Sequence, residues 1–139
     1  MNRFHRTFPS ELNCVRSILI DALGFIRAQF VCIPEDEEYD LRLILSELLH
    51  NAVIHGNQSD QQKFVSLSLN VKGDVLFCAI SDEGAGFDHG TLLRSFSNPD
   101  DCDSEHGRGI RIVNALTDTL QYNVSGNTIH FEKRVSADA

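Results

Sequence analysis

Apolar positions recur along this chain in two periods, and the switches between them mark out most of its elements. Phe4, Arg6 and Phe8 alternate with Arg3, His5 and Thr7, which predicts a short strand ended by Pro9. Ser10 reads as an N-cap. Leu12, Val15, Ile18, Leu19, Ala22 and Ile26 then recur at helical spacing, predicting a first helix that runs to about Phe30. Pro34 and the acidic run at residues 35–40 open a second helix, where carboxylates favour the positive end of the helix dipole. Leu41, Ile44, Leu45, Leu48 and Ala52 share one face of it, and it ends near His55-Gly56-Asn57 with Gly56 as C-cap. Strict alternation of Val65, Leu67, Leu69 and Val71 predicts a strand with one buried face. Lys72-Gly73-Asp74 is a tight turn, and residues 75–81 are a denser apolar strand. Residues 82–108 are polar, glycine-containing and long for a connection. A third helix opens at Gly109 with Ile110, Ile112, Val113 and Leu116. A closing hairpin pairs residues 120–124 with 128–133 about Ser125-Gly126-Asn127. The order predicts an α+β fold, an α/β two-layer sandwich with one sheet covered by helices on one face.

Composition narrows the function classes. Twelve Lys and Arg stand against twenty Asp and Glu, a formal net charge of −8, which argues against a nucleic-acid binder and makes any anionic ligand a puzzle. No apolar run approaches a membrane span, and the N-terminus leads into no signal core. Cys14, Cys32, Cys78 and Cys102 are scattered without a C-x-x-C pair, so they read as reduced thiols of a cytoplasmic protein. Repeats and linkers are absent, and residues 1–139 read as one domain.

Three short motifs carry candidate chemistry. Glu47 and Asn51 stand at i and i+4 on the second helix, bordering its core stripe. They offer a proton acceptor beside a neutral oxygen ligand suited to Mg²⁺. Asp82-Glu83-Gly84-Ala85-Gly86-Phe87 follows a buried strand directly. A carboxylate there can accept from an exocyclic amine such as that of adenine, and its glycines let the backbone approach a ring. His106-Gly107-Arg108-Gly109 places glycines and a guanidinium at a helix start, a natural anion site, without the G-K-[ST] of a Walker loop. Each motif alone is common on solvated helices and turns. His50 and His55, five apart, do not share a face as a zinc site would require; His55 reads as a helix-end residue, and His5, His89 and His130 as surface residues.

The three motifs in this order resemble the ATP-binding domain shared by gyrase, heat-shock chaperones, histidine kinases and MutL, the GHKL superfamily. Within it, Glu47-Leu48-Leu49-His50-Asn51-Ala52-Val53-Ile54-His55-Gly56-Asn57 is similar to the serine/threonine-kinase anti-sigma factors, and the resemblance spans residues 4–134. It implies a mixed, mostly antiparallel sheet under about three helices, and ATP and Mg²⁺ as cofactors. It further implies that Glu47 is the general base, Asn51 the Mg²⁺ ligand, and Asp82 the adenine contact walled by Gly84 and Gly86. Gly107, Arg108 and Gly109 would be the phosphate segment, with Thr128 a second adenine contact. The expected activity is a bacterial anti-sigma factor and protein serine/threonine kinase in a partner-switching pathway. Its implied partners are a STAS-type anti-anti-sigma protein, whose serine it phosphorylates, a sigma factor or other regulated protein, and a second copy in a homodimer. The alternative is an ATP-dependent binding module or switch regulator without significant kinase activity. Histidine kinases carry a phospho-accepting helix pair before this domain, and gyrase and MutL a transducer; neither is expected here. The acidic loop bearing Asp100, Asp101, Asp103 and Glu105 reads as facing solvent, or a basic partner.

Overall fold

A computed structural model describes residues 3–84, 105–123 and 125–135, with side chains described from Gly109 onward in the helix that starts at Glu105. Five strands form one sheet: β1 (Arg3–Pro9), β2 (Phe64–Lys72), β3 (Val75–Ser81), β4 (Thr119–Tyr122) and β5 (Thr128–Arg134). Their order is β1-β2-β3-β5-β4, and all four pairings are antiparallel. The mixed component implied by the resemblance is therefore not found among the described strands. Gly73 (φ 61°) makes the β2–β3 turn and Gly126 (φ 75°) the β4–β5 turn, conformations that favour glycine.

Among the described residues three α-helices, α1 (Leu12–Gln29), α2 (Glu35–Asn51) and α3 (Glu105–Leu116), cover one face of the sheet. The period-two pattern decides which face: Val65, Leu67, Leu69 and Val71 are buried, and so are Leu76, Cys78 and Ile80 on β3 and Ile129 and Phe131 on β5. The second helix lies between the other two, packing on both. Its Leu41, Ile44, Leu45, Leu48 and Leu49 are buried to within 2% exposure, so Leu49 joins the core stripe read from sequence. Glu35, Asp36, Glu37 and Glu38 occupy its first turn, as the dipole argument expects. Glu38 also pairs with Arg27 at the end of α1.

Three local expectations are corrected. Ser10 is not the cap of α1, whose N-cap is Glu11 with no side-chain cap bond. Ser10 is buried instead, and its hydroxyl donates to the Lys63 carbonyl at 2.8 Å. Gly56 is not a left-handed C-cap: α2 runs into a π-helical turn, Ala52–Gly56, closed by the Asn57 N–H on the Ala52 carbonyl at 2.9 Å. Positive φ falls on Gln58 (54°) and Ser59 (58°). The third correction concerns α3, which begins at Glu105 rather than Gly109. Gly107 and Arg108 thus lie in its first turn and Gly109 in its second. A glycine in mid-helix there has a packing cause, described next.

Candidate nucleotide-binding site

The end of α2, the end of β3 and the second turn of α3 meet at the helix-covered side of the sheet. Three glycines make the meeting possible. A Cβ on Gly56 would overlap the Asp82 carboxylate, one on Gly84 would overlap the Gly56 carbonyl, and one on Gly109 would overlap the Glu47 carboxylate. The motif residues separated in sequence are therefore in mutual contact, through positions where only hydrogen fits.

A narrow recess opens between them, walled by Leu48, Asn51, Ile80, Asp82, Tyr122 and Asn127. Its volume of about 20 Å³ suits a water or the edge of a planar ring. Asp82, next after the buried Ile80 but one, points to this side by strand parity. Its Oδ1 accepts the Gly84 N–H at 2.8 Å, and its own N–H donates to the Asn127 carbonyl at 2.9 Å. Burial raises the Asp82 pKa above the ordinary 3.8, against the opposing pull of the Gly84 N–H and the Lys63 charge. Burial and the Asp82 charge together raise that of the Tyr122 phenol. Asn51 Nδ2 is fully buried and has no hydrogen-bond partner among the described residues.

One residue that sequence reasoning passed over holds this assembly. Asn57, wholly buried, donates from Nδ2 to the Ser10 hydroxyl (2.7 Å) and the Phe64 carbonyl (3.0 Å), while its Oδ1 accepts the Glu83 N–H at 2.7 Å. Glu83 returns the tie by accepting the Phe64 N–H at 2.5 Å. The end of β1, the start of β2 and the Asp82–Gly84 turn thus hang from one side chain. Nothing in a helix-ending Gly-Asn marks it as buried.

Of the site residues read from sequence, Glu47, Asn51, Asp82, Gly84 and Gly109 are brought together. Gly86, the side chain of Arg108 and the acidic stretch at residues 100–104 lie outside the described residues; Gly107 is placed only as part of the first turn of α3. Thr128 is placed elsewhere. It pairs with Ser81, their hydroxyls 3.0 Å apart, on the face opposite Ile80 and Ile129. Asn127, not Thr128, lines the recess. Counting back by two from Phe131 and Ile129 reaches Asn127, so strand periodicity held the signal.

The family model described as "Histidine kinase-like ATPase domain" matches residues 8–133. The chain belongs to this family. Among curated relatives, the serine-protein kinase RsbW of Bacillus subtilis is 31% identical over 109 residues, covering 74% of this chain and 68% of the relative. An anti-sigma F factor of Bacillus licheniformis is 28% identical over 106 residues, covering 73% and 72%. A solved structure titled mycobacterial sensor histidine kinase MprB superposes with a TM-score of 0.58 at 15% identity, over 97% of this chain and 100% of that one, and shows the shared fold. Within the histidine kinase-like ATPases this chain is thus of the anti-sigma kinase kind, and the family implies ATP binding. No helix among the described residues is long and apolar enough to cross a membrane.

The raised Asp82 pKa gives a sign-defined prediction. Between 3.8 and its raised value the folded state holds more protons than the unfolded one, so stability falls as pH rises through that window. Urea midpoints of wild type and Asp82→Asn across pH should diverge, with wild type gaining relative to the variant on acidification. A difference that does not move with pH would contradict a perturbed Asp82.

Proposed function

We propose that this chain is a cytoplasmic anti-sigma factor and Mg-ATP-dependent protein serine/threonine kinase that phosphorylates a serine of a STAS-type anti-anti-sigma protein. The observation that carries the reading is Asn51, whose buried Nδ2 is left without a hydrogen-bond partner among the described residues, in the same recess wall as Asp82 and with Glu47 one turn away against Gly109. A family ATP site needs these three groups together, and independent surface residues would not be left with a buried unpaired amide.

Asp82 accepts from the adenine amino group, with Gly84 and Gly86 shaping that wall. The Asn51 oxygen suits a hard cation. Among the described residues no cluster of three His, Cys, Asp or Glu forms a protein cage, and Mg²⁺ requires only one or two protein oxygens besides phosphates and water. When bound, Mg²⁺ supplies charge neutralisation on the transferring phosphoryl group. Gly107, Arg108 and Gly109 form the phosphate segment, Arg108 adding a fixed positive fork. Glu47 takes the proton of the attacking serine hydroxyl. Positioning and electrostatics do most of the catalysis, since phosphoryl transfer passes through a loose transition state.

The test is incubation of the chain with Mg-ATP and a STAS-type anti-anti-sigma protein, read by intact mass. Addition of one phosphoryl group to that protein is the expected result. A stable complex without a mass change would instead make the chain an ATP-dependent binding module.

A further inference from the structure

Among the described residues the fold buries two polar residues, Ser10 and Asn57, and they are bonded to each other at 2.7 Å. Neither lines the recess. Their hydrogen bonds run in one direction only. The Lys63 carbonyl can only accept, so the Ser10 hydroxyl that meets it at 2.8 Å donates, and its oxygen is left to accept from Asn57. The Phe64 carbonyl likewise can only accept, which makes the Asn57 atom facing it Nδ2. The other terminal atom of that amide is therefore the oxygen, and it meets the Glu83 N–H at 2.7 Å. The orientation of the Asn57 amide is thus fixed from both ends.

Glu83 is the middle residue of the turn that presents Asp82, and each of the turn's N–H groups is committed. The Asp82 N–H goes to the Asn127 carbonyl, the Glu83 N–H to Asn57, and the Gly84 N–H to Asp82 Oδ1. Only the middle bond reaches a wholly buried side chain, and it holds the peptide that joins Asp82 to Glu83. The Glu83 carboxylate also holds the Phe64 N–H, but at the surface, where water competes. A core that needed only packing would be served nearly as well by an apolar pair of the same shape. What such a pair lacks is an acceptor for the Glu83 N–H. We propose that Ser10 and Asn57 are positioning residues for Asp82, a buried relay that sets how strongly the pocket prefers adenine without touching the nucleotide. An Asp82 carboxylate whose turn can swing loses its alignment with the exocyclic amine, and hydrogen bonds weaken steeply with angle. This inference rests on the ATP-binding reading above and adds the residues that keep its base contact selective.

Titration calorimetry of the full chain with Mg-ATP and with the magnesium complex of purine riboside triphosphate tests it. The analogue is ATP without the exocyclic amine, so the ratio of the two affinities reads the amine contact, the phosphates being common to both. Wild type should prefer ATP at least about tenfold, since a hydrogen bond to a charged group is the stronger kind. Ser10→Ala and Asn57→Leu should each cut that preference at least about threefold and leave affinity for the analogue within about twofold of wild type. A role confined to stability would lower the urea midpoint and leave the ratio as it is. That is the behaviour expected of Val71→Ala, which opens a cavity at the other end of β2. If Asn57→Leu does not fold, Ser10→Ala, which removes a single hydroxyl, decides the matter alone. An unchanged ratio in the folded variants, or equal losses for the two nucleotides, overturns the assignment, and so does a wild type that binds both alike. Failure of wild type to bind ATP at all would instead refute the function proposed for the whole site.

Discussion

Replacing Glu47 with glutamine is expected to slow phosphoryl transfer by about 10²–10⁴-fold, the usual worth of general-base assistance. Glutamine has the same shape, so it still fills the space that Gly109 leaves open, and α2 and α3 stay in register. ATP affinity should accordingly stay within about threefold, a change of under 1 kcal/mol. Single-turnover transfer to the anti-anti-sigma protein and a separate nucleotide titration separate the two effects. Unimpaired transfer would remove Glu47 from the role of base, and loss of affinity in step with rate would make it a binding residue.

Gly84→Ala should be the most damaging glycine-to-alanine change among the described residues. The added carbon would overlap the Gly56 carbonyl, which belongs to backbone and cannot rotate aside as a side chain does. Relief requires the Asp82–Gly84 turn to part from the π-helical turn, which breaks the Glu83 N–H bond to Asn57 that ties the two together. A cost of roughly 2–3 kcal/mol in urea unfolding follows from comparable overpacking. Nucleotide affinity should fall by roughly 100-fold if a similar energy is withdrawn from the bound geometry. Gly24→Ala is the matched control: nothing lies within 4 Å of a Cβ there, and in mid-helix it should stabilise by about 0.5–1 kcal/mol. Similar behaviour of the two variants would mean that the glycine contacts do not organise the site.

Strand alternation at Val65 to Val71 and the helical stripe of α2 made the layers legible, because burial on one face leaves a periodic trace in residue type. The pairing of Glu47 with Asn51 was legible for the same reason, since helix geometry alone stacks i and i+4. The resemblance supplied what periodicity could not, namely that Asp82 and α3 come to the same place. Glycine was the main source of error. Gly56 and Gly109 read as an end and a beginning, because glycine punctuates helices more often than it admits a neighbour's carboxylate. Thr128 was taken on motif likeness alone, whereas it is Asn127, of the same parity as Ile129 and Phe131, that lines the recess. Asn57 left no trace at all, since a buried amide depends on partners at residues 10, 64 and 83 that local pattern does not connect.

Asn57 has a consequence for how such a domain can diversify. The exposed loop from Gln58 to Gln62 begins beside this side chain and ends near Phe64, which the same amide holds. Both ends are thus pinned independently of what lies between them, so insertions or altered charge in that loop are insulated from the pocket. The loop is a place where a lineage can acquire new partners, or an engineer a label, while the chemistry next door stays in tune.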